Sequence, residues 1–194
     1  MNKKYQIIYA DPPWSFTGLG SKGIRSGKMR QDDSGFHENI KLETKYSTLS
    51  VEELKALPVS NISDVDCSLF LWTTDAHLPF AIDVMRAWGF TYATIGFTWL
   101  KKTSTGKQVC YYGYWTLKGT EICLIGRKGH PKVLNHKIRQ LTEAKRREHS
   151  RKPDEVRDNI VFLMGDLPRI ELFARQETLG WDVWGNEVNS DITI

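Results

Sequence analysis

Tyr5-Gln6-Ile7-Ile8-Tyr9-Ala10-Asp11-Pro12-Pro13-Trp14 is the stretch whose reading decides the fold. Tyr5 to Ala10 is apolar apart from Gln6 and short, so it reads as a buried strand. Two consecutive prolines must end it, because proline cannot donate to a strand ladder. Asp11-Pro12-Pro13-Trp14 therefore stands where a strand gives way to a loop. In open α/β sheets that is where reactive groups gather.

Working outward, Ser15 to Lys45 is loop-like and rich in Gly, Ser and Lys. An unstructured segment of that length inside a compact domain is usually functional or disordered. Ser50 to Leu57 is predicted helical, with Ser50 and Glu53 spaced as a capping box. Cys67 to Trp72 is a second apolar strand, ending in Thr73-Thr74-Asp75. Leu78, Ala81, Ile82, Met85 and Trp88 recur at helical spacing, and Gly89 stops that helix. Tyr92 to Leu100 and Glu121 to Gly126 read as strands, separated by the Gly- and Lys-containing loop Lys101 to Gly119. Pro153 opens a helix with Val156, Ile160 and Leu163 on one face and Gly165 after its end. Arg169 to Ala174 and Trp181 to Trp184 are the last strands. Strands alternate with helices, which predicts an α/β sheet flanked by helices. No repeat and no linker divides the chain, so residues 1–194 are expected to form one domain.

Bulk composition narrows the class. The 194 residues are 40% hydrophobic and 26% charged, ordinary for a soluble globular protein. The net charge is +4, a mild pointer to a polyanionic partner. Cys67, Cys110 and Cys123 fit neither a disulfide framework nor a paired-cysteine zinc site, which favours reduced thiols and a cytoplasmic location. No membrane span or cleavage signature is expected. His37, His77, His130, His136 and His149 are scattered without ligand spacing, so no metal is expected. Asn135 to Lys152 is strongly basic, with Lys137, Arg139, Lys145, Arg146, Arg147, Arg151 and Lys152. It is a candidate phosphate-binding surface, or alternatively a solvated helix face interrupted by Glu143 and Glu148.

Asp11 and the Pro12 carbonyl offer two hydrogen-bond acceptors side by side, and proline fixes the carbonyl direction. Two such acceptors can draw the hydrogens of an aromatic amine such as that of adenine. They thereby push its nitrogen from planar towards tetrahedral. Trp14 can stack on the base. Read alone, the same residues serve equally as a strand cap with a core tryptophan.

The ordered motifs of the remaining chain decide between these readings. After Asp11-Pro12-Pro13-Trp14 come Tyr46-Ser47-Thr48-Leu49-Ser50, Leu69-Phe70-Leu71-Trp72-Thr73-Thr74 and Gly113-Tyr114-Trp115. Glu121, Gly126-Arg127-Lys128-Gly129 and His149-Ser150-Arg151-Lys152-Pro153 follow. Glu171-Leu172-Phe173-Ala174-Arg175 and Gly185-Asn186-Glu187 close the series. In this order the chain resembles the adenine-N(6) methyltransferase family typified by the catalytic subunit of the eukaryotic mRNA adenosine methyltransferase. The likeness runs from about Tyr5 to Glu187.

The resemblance implies a Rossmann-like methyltransferase sheet with helices on both faces and a permuted motif order. It implies S-adenosylmethionine as cofactor and the adenine amino group as target. Asp11, Pro12, Pro13 and Trp14 are then the catalytic motif. Asp11, Pro12, Lys152, Glu171, Arg175, Asn186 and Glu187 are the cofactor residues, with Lys152 at the methionine carboxylate and Asn186 and Glu187 near the ribose. Glu171 has the competing reading of a salt-bridged strand carboxylate, and Asn186 that of a turn residue. Tyr46, Trp115 and Glu121 fall around the substrate pocket, and Lys145, Arg146 and Arg147 on the nucleic-acid side. DNA is the preferred substrate, with RNA or a non-catalytic role in a heteromeric enzyme as alternatives. A homodimer is compatible with the sequence.

Overall fold

The computed structural model describes residues 3–15, 48–113, 115–147 and 151–194. In chain order the elements are β1 (Tyr5–Ala10), α1 (Val51–Ala56), β2 (Ser63–Thr73), α2 (Leu78–Ala87) and β3 (Thr91–Lys102). Then come β4 (Tyr111–Tyr112), β5 (Leu117–Lys118), β6 (Thr120–Lys128), β7 (Leu141–Lys145), α3 (Asp154–Met164), β8 (Arg169–Leu172) and β9 (Asp182–Trp184).

Seven strands form one sheet in the order β7-β3-β6-β2-β1-β8-β9, and β4 pairs with β5 in a separate hairpin. All neighbours in the sheet are parallel except β6, which runs against both β2 and β3. β1 is central. Five of its six residues are buried, the near-continuous apolar pattern of a strand covered on both faces. An irregularity between Tyr5 and Ile7 breaks the alternation, so Tyr5 shares a face with Ile8 and Ala10. On that face β1 packs with Leu54 of α1 and with Ala81, Val84 and Met85 of α2. Ile7 and Tyr9 point the other way, towards Val156, Ile160 and Met164 of α3. Helices thus cover both faces of the sheet, as expected. The Trp88 indole, just past α2, donates to the Leu54 carbonyl at 2.7 Å and ties the first two helices together.

Several predicted elements form with small changes of boundary. The Ser50 capping box is present in both directions. Gly89 ends the second helix region with φ 86°, a backbone setting suited to glycine. β2 extends back to Ser63 and β3 forward to Lys102. The loop Lys101 to Gly119 contains the β4–β5 hairpin. β7 lies within the basic run and has no apolar signature, because it is an edge strand with mostly solvent-facing residues. Tyr46, His37, His149 and nearly all of Ser15 to Lys45 lie outside the described residues.

This topology makes one functional edge. β1 and β2 end there, at Ala10 and Thr73, as do β8 and β9, at Leu172 and Trp184. Reversed β6 starts there. The chain leaves β1 towards β2, while β8 sits on the opposite flank and leads outward to β9. The strand order therefore reverses between β1 and β8, which is the crevice where open α/β sheets bind ligands.

Candidate active site

Asp11 follows β1 directly and is the first polar group at this crevice. Its Oδ2 accepts from Lys152 Nζ at 2.6 Å, across 141 residues of sequence. The same ammonium lies 3.1 Å from Glu121 Oε2, and Glu121 Oε1 accepts from Lys101. The result is an alternating chain, Asp11–Lys152–Glu121–Lys101. Lys152 is delivered by the turn into α3, Glu121 by the start of β6 and Lys101 by the end of β3. The Lys152 side chain is only 7% exposed.

Buried charges survive because they are paired. Burial alone would push Lys152 down, but the Asp11 and Glu121 carboxylates overcome it and hold the ammonium above its ordinary range. Burial likewise opposes charge on Glu121, yet Lys152 and Lys101 keep its carboxyl below its ordinary value. Lys152 and Glu121 are therefore both charged at neutral pH. The Lys152 ammonium also lies 5.5 Å from the centre of the Trp72 ring.

The motif itself is clamped from several sides. The Pro12 carbonyl accepts from the Trp14 backbone N–H at 2.9 Å, a tight turn that fixes its direction and leaves its second lone pair unused by that bond. The Pro13 carbonyl accepts from Leu49 N–H at 2.9 Å. Trp14 is buried, and its indole donates to the Trp72 carbonyl at 3.0 Å. Trp72 in turn donates to the Tyr9 hydroxyl at 2.7 Å. The Trp14 ring is therefore a wall of the site held by β2, not an exposed stacking platform.

His77, unremarked in the sequence beyond its lack of ligand spacing, completes the clamp. Its ring stacks on Trp14 with centroids 5.5 Å apart. Nε2 donates to the Ser15 carbonyl at 3.1 Å, and Nδ1 accepts from the Thr74 hydroxyl at 2.9 Å. Burial lowers its pKa, against the upward pull of the Ser15 carbonyl and Asp75. The sign of the resulting pH dependence follows. Below about pH 6.5 the unfolded chain takes a proton at this histidine that the folded chain resists. Stability should therefore fall as pH drops from neutral. Melting temperatures of wild type and His77→Gln between pH 7 and 5.5 check this. The wild type should lose more over that interval, and parallel curves would contradict it.

Glu171, at the β1-facing register of β8, is committed elsewhere. Both of its oxygens accept from Arg157 of α3, each at 2.7 Å, and both side chains are 7% exposed. Burial raises the Glu171 carboxyl, and the Arg157 contacts pull against it. This is the salt-bridged carboxylate that the sequence left as the competing reading. Arg157 also contacts Asp154, which accepts from Arg147 and Arg151 as well. Those arginines hold the Asp154 carboxyl down at about 2. Three members of the basic run, Arg147, Arg151 and Lys152, are thus tied to carboxylates. Lys137, Arg139, Lys145 and Arg146 are exposed.

The chain after β8 turns sharply. Phe173 has φ 61°, unusual for a residue with a side chain, and its ring meets Trp184 edge-on at 5.4 Å. A Cβ on Gly185 would lie 2.2 Å from the Ala174 carbonyl oxygen, so only glycine allows this approach. Beyond it, Gln176, Glu177, Asn186, Glu187, Val188 and Asn189 line an open polar cleft of about 570 Å³. Arg175 lies 3.8 Å from Glu187 at its border. Trp115, 88% exposed on the β4–β5 hairpin, is not among the residues that line this cleft.

A family model described as MT-A70 matches residues 5–187, almost the whole chain. The chain belongs to the MT-A70 family. It is thus an adenine-N6 methyltransferase by family. Among curated relatives of this MT-A70 protein is the Type II methyltransferase M.MunI of a Mycoplasma species. It is 38% identical over 192 residues, covering 96% of this chain and 78% of that enzyme. The MT-A70-like N(6)-adenosine-methyltransferase of Drosophila melanogaster is 29% identical, and the human catalytic subunit METTL3 is 28% identical. Each match covers 96% of this chain but only 27% and 28% of those longer proteins.

The sequence had named Asp11, Pro12, Pro13, Trp14, Glu121 and Lys152, and the fold brings all six together. Sequence reading misses Lys101, His77, Tyr9 and Arg157, and gives Trp72 only as a member of the Leu69–Thr74 motif with no role at the site. Lys101 could have been found from two lysines closing an apolar strand, where a strand end meets the crevice. His77 follows the polar Thr73-Thr74-Asp75 end of β2. Tyr9 reads only as a strand residue.

Proposed function

We propose that this protein transfers the methyl group of S-adenosylmethionine to the exocyclic amino group of adenine in DNA. The observation that carries the reading is Asp11 at the end of β1, beside the paired Lys152 and Glu121, in an MT-A70 chain. The sulfonium of the cofactor supplies an electrophilic methyl group, so the protein has to position the amine and stabilise the charge that develops on it.

The residues suit both tasks. Asp11 Oδ2 is engaged by Lys152, which fixes the carboxylate, and in this reading Oδ1 accepts from the target amine. The second lone pair of the Pro12 carbonyl accepts the other amine hydrogen. Pro13 locks the turn, and Trp14 walls the site. As the nitrogen attacks, positive charge grows beside Asp11. One preorganised contact of this kind is commonly worth about 10²–10³ in rate. The released proton passes to Asp11 or to water.

The donor set also fits the cofactor. Asn186 and Glu187 in the polar cleft offer an amide and a carboxylate for ribose hydroxyls, and Arg175 stands beside them. Lys152, read by resemblance at the methionine carboxylate, instead commits its ammonium to Asp11 and Glu121, so its role in this reading is to hold the Asp11 carboxylate. For Tyr46, a part in the substrate pocket rests on the family resemblance alone.

DNA is preferred because M.MunI, a Type II methyltransferase, shares the greater part of its length with this chain. The adenosine methyltransferases among the relatives support RNA as the second reading, for which recognition of the ribose 2′-hydroxyl would be the mark. We read residues 1–194 as one domain, supported by the single large sheet. A cytoplasmic setting is supported by the three free cysteines. The test is transfer of labelled methyl by purified protein to duplex DNA, denatured DNA and RNA. Transfer to DNA is expected. No transfer to any of them, with no cofactor binding, would remove the proposal.

A further inference from the structure

The β4–β5 hairpin is hydrogen-bonded at its base and bulky towards its tip. At the base, Lys101 N–H donates to the Gly119 carbonyl at 2.9 Å and Val109 N–H to the Lys101 carbonyl at 2.8 Å. A Cβ on Gly119 would lie 2.1 Å from the Val109 oxygen, so the two stems touch backbone to backbone. The two sides are moored to different parts of the functional edge. Lys118 of β5 pairs with Asp75, just beyond β2. Tyr111 of β4 accepts from Arg146, just beyond β7, at 3.2 Å. In the sheet, β6 and β3 lie between those moorings. The hairpin therefore crosses over the strand ends that carry Glu121 and Lys101.

The tip presents apolar surface to solvent. Trp115 is 88% exposed, Leu117 53% and Tyr112 49%. A cluster of large apolar groups held out on a hydrogen-bonded stem marks a contact surface. Its surroundings are basic. Lys107, Lys145 and Arg146 are exposed nearby in sequence or in space, and the Lys101 ammonium lies 5.8 Å from the Tyr111 ring centre. Aromatic surface among cations suits a polyanion with stacked rings.

An adenine inside a duplex cannot present its amino group to Asp11, because the stacked and paired base holds that group within the helix. The base has to leave the stack, and that costs a few kcal/mol. Proteins that open a base step insert an apolar side chain and hold the flanking phosphates with cations. We propose that the β4–β5 hairpin is the element that opens the duplex, with the Trp115 indole entering the stack where the target adenine leaves it. This rests on the reading of the protein as a DNA adenine methyltransferase.

The experiment compares wild type, Trp115→Ala and Trp115→Phe on unmethylated plasmid, both as duplex and after linearisation and heat denaturation. Labelled-methyl transfer is read on both forms, and permanganate reactivity of unpaired thymines is read on the protein–duplex complex. Trp115→Ala should lose roughly 10-fold or more on the duplex, the scale of one stacked aromatic. It should lose much less on the denatured DNA and should no longer raise thymine reactivity at saturating protein. Trp115→Phe should restore most of both. Equal losses on the two forms, or thymine reactivity unchanged by Trp115→Ala, would overturn the assignment. Wild-type protein inactive on every nucleic acid would instead sink the methyltransferase reading on which the hairpin's role depends.

Discussion

Asp11→Ala and Asp11→Asn should each lower methyl transfer by at least about 10², with the fold intact. The reasoning runs through the charge chain at the crevice. Among the described residues, Asp11 is the carboxylate that meets the end of β1, and it is still partly exposed, at 24%. Asparagine keeps an acceptor of the same shape but removes the charge that stabilises the developing ammonium. Alanine removes both. Lys152 does not become an orphan in either variant, because Glu121 remains 3.1 Å away. Melting temperature should therefore change far less than activity. Steady-state transfer measured beside thermal unfolding checks both halves. Near-normal activity in the two variants would take Asp11 out of the mechanism.

Arg157→Ala and Glu171→Ala should each destabilise the protein strongly, by about 3–5 kcal/mol. The pair joins α3 to β8 with two hydrogen bonds of 2.7 Å and is almost fully buried. Removing one partner strands the other charge in the interior, next to the Tyr9 ring that Arg157 covers at 5.4 Å. Replacing both by Met should cost less than either single change, because no unpaired charge is then left behind. Denaturant unfolding of the four proteins measures this. A double variant that loses the sum of the two singles would contradict it. Glu171→Gln carries a second reading. If Glu171 is only structural, cofactor affinity should fall no more than stability does. A variant that folds normally but loses cofactor binding would return Glu171 to the cofactor site.

Much of this molecule was legible in sequence because its signals are local. The run Tyr5–Ala10 with its two prolines fixes a central strand and its end, and Ser50 with Glu53 fixes a helix start. β7 was not legible, since Thr142, Glu143 and Lys145 give an edge strand no apolar pattern to detect. Arg147 was read as a surface cation, yet it folds back onto Asp154 and the Lys152 carbonyl. A charge run says nothing about which members find partners. The Lys152 contacts were hidden for a related reason. Its partners lie 141 residues away at Asp11 and 31 away at Glu121, and only the strand order brings them together. Asp11-Pro12-Pro13-Trp14 could be named from sequence, but the Pro12 turn, the Trp14 clamp and His77 required the fold.

The central claim is that Asp11 directs methylation of adenine in DNA. The most direct measurement is sequencing-based mapping of modified adenines in DNA from cells expressing the protein, with Asp11→Ala as control. Methylated adenines at a defined sequence, absent with the variant, are the predicted result. Unmodified DNA from cells that contain soluble, folded wild-type protein, or the same adenines modified by the Asp11→Ala variant, would contradict it.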